Sequence, residues 1–373
     1  MFHKRKITSA FITSLLLLTF FIMHAPSGTI ADAQNGNRTR RPPDSRTSPA
    51  PSPTPPVKTS DEPIGQSDDV VRVETDLTNV LFTATDKQRR FFTGLQREDV
   101  RVLEDGKPQE VFSFAKQTDL PLSLAILVDT SGSQQRTLPE EKEAAREFVD
   151  AVMRPNKDEA AVISFTGDAT LEQGLTGNSV NIRRALDGIR ISLPGGGYGG
   201  VPPLNGDSRE GSTAIWDAVW VAADEVLSQT SDRTRRAIIL LTDGVDTSSR
   251  YKRDQAIDRA VRADVVVYSI GIGDEYAYGL DQGALRKISE RTGGRAFFPR
   301  SEEDLRAAFA QIQDELRSQY LLAYSPTNKA RDGSFRKVEI EITNPELRKQ
   351  NLKLTYRQGY FAKTTASNRA IRN

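Results

Sequence analysis

The chain has 373 residues, 37 % of them hydrophobic, a formal net charge of +1 and no cysteine. That length suffices for two domains with appendages and a sizeable core, and the interspersed charge offers no nucleic-acid face and no polyanion-binding patch. The lack of cysteine excludes disulfides, thiolate nucleophiles and Cys-ligated zinc.

Lys4, Arg5 and Lys6 precede an uncharged, mostly apolar stretch at residues 10–23, and Ala31-Asp32-Ala33 forms an A-x-A site before Gln34. This pattern predicts a secretory signal peptide over 1–33 and a secreted or periplasmic protein. An uncleaved anchor is the alternative, but the apolar stretch is short of the roughly 17 residues that a membrane span needs. Cleavage would leave no membrane span. It would also remove the only histidines, His3 and His24, and with them the usual general bases and zinc ligands. Residues 34–69 are rich in proline and serine and read as a flexible linker.

From residue 70, Val71, Val73, Thr75 and Leu77 alternate with polar residues before the apolar set moves to Val80 and Phe82. A half-buried strand with a bulge near Asn79 is expected. Asp105-Gly106 separates two β-rich runs at 100–104 and 110–114. Further strand patterns lie at 320–324, at 337–343 (Val338, Ile340, Ile342) and at Leu352, Leu354 and Tyr356. Neither end alone supplies enough strands for a stable sandwich. The β segments 70–118 and 318–362 are therefore expected to pair into one all-β domain, followed by a tail at 363–373. The domain at 119–317 would be an insertion in it.

Within 119–317, helix and strand patterns alternate. After LAILVD comes a helix over 138–153 with a possible capping box of Thr137 and Glu140, then a strand at 160–165 and a polar edge segment at 170–176. A helix at 181–189 leads to a Gly-rich loop at 194–211 and a helix at 213–227. Strands at 237–242 and 265–270 alternate with helices ending near 263 and 292. A last helix over 301–317 turns Leu305, Phe309, Ile312 and Leu316 inward. The predicted fold class is α/β, a doubly wound, mainly parallel central sheet flanked by helices. Ligands in such sheets bind at the carboxyl ends of the strands.

Three motifs fall on that rim. Asp129, Ser131 and Ser133 follow the first strand, with Gly132 expected to let the turn tighten. Asp243 follows AIILLT, and Thr213 opens a helix. Two carboxylates and three hydroxyls suit a hard cation such as Mg²⁺, with Mn²⁺ or Ca²⁺ as alternatives. Asp129 is expected at a strand end facing solvent and ion.

The segments DTSGS, GSTAIWDA and LLTDGVDTS resemble the metal-ion-dependent adhesion site of von Willebrand factor type A domains, the family that includes integrin I domains. The resemblance covers residues 120–317. It implies that Asp129, Ser131, Ser133, Thr213 and Asp243 are metal residues. The flanks ending in LEDGKPQEVFSFAK and YRQGYFA resemble those of secreted bacterial type A proteins abundant in acidobacteria. The implied function is divalent-cation-dependent protein–protein binding or adhesion, in which an Asp or Glu carboxylate of a protein ligand completes the coordination. The alternative is a metal-dependent hydrolase using Ser131, Ser133 or an activated water. A non-enzyme is expected, because coordinated hydroxyls are poor nucleophiles and no His or Cys is left to activate them.

Other signals read as structural. GGGYGG at 195–200 lacks the Gly-Lys-Ser/Thr ending of a phosphate loop. Gly271-Ile272-Gly273 lacks the third glycine of a dinucleotide fingerprint, with Tyr276 in its place. Trp216 and Trp220, one helical turn apart, read as packing residues, and Asp246 as a solvated turn carboxylate.

Overall fold

The computed structural model describes residues 77–116, 119–192, 212–243, 245–273 and 280–364. The signal peptide, the linker, the strand expected from residue 70 up to 76, the Gly-rich loop, Tyr276 and most of the tail lie outside the described residues.

The chain enters through β1 (Thr78–Thr85), β2 (Val100–Glu104), β3 (Lys107–Gln109) and β4 (Val111–Lys116). In β1, burial alternates from Thr78 to Phe82 and then becomes continuous through Thr85, while Leu77, just before the strand, is exposed. The pairing of β1 runs without interruption from Thr78 to Phe82. The bulge expected near Asn79 is therefore absent, and the register instead shifts at Ala323/Tyr324.

Strand β5 (Leu122–Asp129) begins the α/β part. It is followed by α1 (Leu138–Val152), β6 (Glu159–Phe165), β7 (Ala169–Thr176), α2 (Ser179–Gly188), α3 (Ile215–Val221) and β8 (Arg235–Thr242). Then come α4 (Arg253–Arg262), β9 (Val265–Gly271), α5 (Gln282–Thr292), β10 (Ala296–Phe297) and α6 (Glu302–Arg317). The six strands form one sheet in the order β10-β9-β8-β5-β6-β7. All neighbours are parallel except β7, which runs antiparallel to β6. This is the expected doubly wound α/β fold, mixed only at one edge.

β5 and β8 are buried along their whole lengths, as central parallel strands must be when helices cover both faces. The period of two sorts β5 between two cores. Leu122, Leu124, Ile126 and Val128 join α1, α2 and α6, while Ala125 and Leu127 join α3, α4 and α5. Trp216 is buried in the second core, and Trp220 stacks on Tyr251 at 4.0 Å, so both tryptophans pack as expected.

Two helix starts differ from the sequence pattern. Thr137 makes no capping bond to α1; its hydroxyl is turned instead to Gln134. The helix expected from Thr213 begins only at Ile215, because the Thr213 carbonyl accepts from the Thr247 and Ser248 N–H groups and the first intrahelical bond is the one from the Ala218 N–H to the Ala214 carbonyl. It then widens into a π-helical turn at Ala222–Val226.

The chain leaves through β11 (Tyr320–Tyr324), β12 (Phe335–Ile342), α7 (Pro345–Lys349), β13 (Lys353–Tyr356) and β14 (Gly359–Phe361). These strands interleave with the first four in two antiparallel sheets, β13-β1-β11-β4 and β14-β12-β2-β3. Val80, Phe82, Val102, Leu322, Tyr324 and Val338 share their core. Gly293, left-handed at the end of α5, lies so close to this region that a Cβ would come within 2.5 Å of the Arg357 nitrogen.

Candidate metal site

The sheet order reverses direction around β5. The chain moves outward from β5 to β6 and β7, then returns to place β8 on the other side of β5. At such a switch point the strand ends diverge and leave a crevice. Asp129 ends β5 and Asp243 directly follows β8, its parallel neighbour.

Asp129 is 0 % exposed, so it does not face solvent as expected. Its carboxylate is held on both sides: Oδ1 accepts from the Ser131 N–H at 2.9 Å and Oδ2 from the Thr242 hydroxyl at 2.7 Å. The loop beyond it is tied to β6, where Thr130 donates through its N–H to the Phe165 carbonyl at 2.8 Å. The Ser131 and Ser133 hydroxyls meet at 2.9 Å. Gly132 has no positive φ, and a Cβ there would meet nothing within 4 Å, so the turn does not depend on glycine.

Thr213 reaches this rim through its backbone. Its N–H donates to the Thr247 hydroxyl at 2.8 Å, and its carbonyl accepts from the Thr247 and Ser248 N–H groups at 2.9 and 3.2 Å. The segment after Asp243 therefore clips the Thr213 segment in place. Asp246 takes part in the same clip by accepting from the Ile215 N–H at 2.8 Å. It is a cap for α3 rather than a solvated turn carboxylate, because the unpaired N–H groups of a helix start attract an acceptor.

Two residues that the sequence reading did not single out sit behind the site. Glu141 is 0 % exposed, one position beyond the residue expected to cap α1. The Gln134 side-chain oxygen, in the amide orientation that satisfies both ends, accepts from the Asp243 N–H at 2.9 Å. Its nitrogen donates to Glu141 at 2.9 Å. The signal for Glu141 was its place on the helical stripe with Ala145, Phe148 and Val152, all buried.

Burial pushes the Asp129 carboxyl up to about 6, against the opposing bonds from Thr242 and Ser131, with the charge of Asp243 adding to the rise. Burial raises Glu141 further, to about 8, helped by the charges of Asp129 and Asp243. Beside the site opens a cavity of about 830 Å³ whose lining includes Ser133, Arg136, Asp243, Arg286 and Arg300. Gly273 borders it, where a Cβ would stand 3.3 Å from the Asp243 Cβ.

A doubly wound sheet with carboxylates and hydroxyls gathered at its switch point defines an α/β domain with a ligand rim. The chain belongs to the von Willebrand factor type A domain family, matched over residues 124–245 and again over 203–313. An uncharacterized protein of Borreliella burgdorferi is 26 % identical over 242 residues, and the match spans 60 % of each chain. Among solved structures, proximal thread matrix protein 1 of the mussel byssus, with a zinc-occupied MIDAS motif, is 21 % identical at a TM-score of 0.45. That match covers 57 % of this chain and 50 % of the other. A von Willebrand factor type A structure from Catenulispora acidiphila is 14 % identical at a TM-score of 0.43, covering 81 % and 78 %. Among the described residues no helix is long and apolar enough to cross a membrane.

Proposed function

We propose that Asp129, Ser131, Ser133, Thr213 and Asp243 hold a divalent cation, Mg²⁺ before Mn²⁺ or Ca²⁺, and that an Asp or Glu carboxylate of a protein partner completes its shell. The protein is then an exported, non-enzymatic adhesion or binding module. The observation that carries this reading is the convergence of the Ser131 and Ser133 hydroxyls at 2.9 Å beside the buried Asp129 carboxylate. The donor set fits a hard cation, being entirely oxygen. Asp129 and Asp243 are 0 % and 5 % exposed, and among the described residues no basic side chain forms an ion pair with either. Buried carboxylates left without a counter-charge are costly, and a bound cation supplies one.

The ion would supply the electrostatic attraction for an incoming carboxylate. The chain's own residues do the rest. Thr242 and the Ser131 N–H hold the Asp129 carboxylate in one orientation, and the Thr213–Thr247 clip keeps the third segment at the rim. Arg136, Arg286 and Arg300 in the adjoining cavity, which also holds Glu140 and Glu141, offer cations to a partner carboxylate at the rim.

Calorimetric titration with Mg²⁺ tests the site. Asp129→Ala is expected to lower affinity by more than the ~10–100-fold that losing an outer-shell partner costs. Ser131→Ala combined with Ser133→Ala separates lost ligands from the structural bonds of Asp129. Unchanged affinity in both variants, with native circular dichroism, would overturn the assignment. Chelator-sensitive capture of a protein from envelope or culture extract then tests the partner class. N-terminal sequencing of the exported form, expected to begin at Gln34, tests the signal peptide.

A further inference from the structure

A second cavity, of about 1130 Å³, lies where the interleaved β sheets meet α5 and β10; none of the proposed metal residues lines it, and Arg286 borders both cavities. It exceeds the ~300–1,000 Å³ typical of small-molecule sites, so it has room for an oligomeric ligand. Its walls come from three distant stretches of chain: the turn after β1, the end of α5 with β10, and β12 with β13. Basic side chains outnumber acidic ones among them, and they differ in what they are free to do. Arg295 is committed to the buried Glu315 at 2.9 Å, and Lys337 pairs with Glu339. Lys87, Arg89, Arg291 and Lys353 have no carboxylate within ion-pair distance among the described residues.

Arg291 lies over the Phe335 ring at 5.5 Å, so the positive charge left without a partner in the cleft is that of Lys87, Arg89 and Lys353, which no stretch of sequence displays by itself. The presentation is also fixed. Asp86 accepts from the backbone N–H groups of Gln88 and Arg90 at 2.9 Å each, which locks the turn that carries Lys87 and Arg89. Between the cations stand the amides of Asn351 and Gln358 and three rings: Phe297 and Tyr356, each packed in part on a neighbouring core, and Phe335, 39 % exposed beneath Arg291. Rings meet the C–H faces of sugars, amides pair with hydroxyls in both directions, and cations take carboxylates. A lipid would need a deep apolar floor, which this mixed lining does not form. A helical or extended peptide would call for a run of apolar anchors along one groove, and here the apolar groups are separated by charges.

We propose that this cleft binds an acidic oligosaccharide, one whose sugar units carry carboxylates, independently of the metal site. It goes beyond the metal-dependent partner binding argued above and does not rest on it.

The test is calorimetric titration of the full chain, in the presence of chelator, with a short oligogalacturonate, a neutral maltooligosaccharide of the same length and an oligoglutamate of matched charge. The oligogalacturonate is expected to bind, the neutral sugar not, and the oligoglutamate at least about tenfold more weakly. Lys87→Glu combined with Lys353→Glu is expected to weaken oligogalacturonate binding by at least about tenfold, because like charges across an interface are strongly unfavourable. The milder Lys87→Gln with Lys353→Gln should weaken it less, with native circular dichroism and unchanged Mg²⁺ titration in both. Absence of oligogalacturonate binding would overturn the proposal. So would equal binding of the oligoglutamate, which would make the occupant a peptide, or affinity unchanged in both double variants.

Discussion

The central six-stranded sheet and the two outer antiparallel sheets are held by different physics. In the first, β5 and β8 lie buried over their full lengths, and the apolar residues facing the two cores support one another redundantly. In the second, a smaller apolar core is crossed by a polar knot. The Glu104 carboxylate, 2 % exposed, accepts from Tyr324 at 2.8 Å and Tyr360 at 2.7 Å and lies 3.4 Å from Arg336. These four residues sit on β2, β11, β14 and β12, so one carboxylate ties both sheets together. Redundant apolar contact tolerates loss of a member, whereas a buried polar network with few members does not.

The largest test of that difference is removal of a whole segment. Without residues 318–362, β1 loses both of its neighbours, β11 and β13, and β2 loses β12. We expect residues 77–116 to lose all amide-exchange protection in such a truncation, while 119–317 produced alone keeps its fold and Mg²⁺ titration. Protection retained in 77–116 would show that the two β segments fold independently.

Glu104→Ala comes next. Breaking a buried charge network by deleting one partner costs about 3–5 kcal/mol, whereas Ile126→Val in the central sheet should cost about 0.5–1.5 kcal/mol. Urea unfolding of the two variants measures the contrast, and equal losses would erase it.

The pH dependence should reside in the central domain. Asp129, Glu315 and Glu141 are raised from 3.8, 4.5 and 4.5 to about 6, 7 and 8, in each case chiefly by burial. Groups raised in this way bind protons more tightly folded than unfolded, so the stability of the metal-free protein should fall as pH rises from about 4 to about 8. A cation on Asp129 favours its charged form. Mg²⁺ should therefore raise the melting temperature more at pH 7 than at pH 5, and Glu141→Gln should flatten the upper part of the metal-free profile. Melting temperatures that climb with pH in the absence of metal would contradict this.

The smallest effect is expected at the seam between the two regions. Arg262 of α4 lies over the Phe361 ring at 3.6 Å, and Arg357 pairs with Asp264. Arg262→Ala should cost about 0.5–2 kcal/mol, read by urea unfolding and by amide exchange of β14.

How much of this was legible in the chain differs between fold and site. The unbroken apolar runs of β5 and β8 declare buried parallel strands, because only a strand covered on both faces needs every side chain to be apolar. Asp129, Ser131, Ser133 and Asp243 follow those runs directly, so their place at one rim is readable from order alone. Leu77 was misplaced because alternation gives spacing without telling which face is covered. Thr137 and Asp246 were misjudged because capping bonds are decided by what the backbone meets after folding.

The alternation of strands and helices, and the oxygen-bearing residues at the ends of the central strands, follow from neighbours along the chain. The tertiary structure alone decided that Asp129 is buried rather than solvent-facing, that Glu141 and Gln134 stand behind it, and that Lys87, Arg291 and Lys353 share one cleft. Burial and charge accumulation arise from groups far apart in sequence, and a chain whose charges are evenly interspersed becomes locally basic only when folding brings them together.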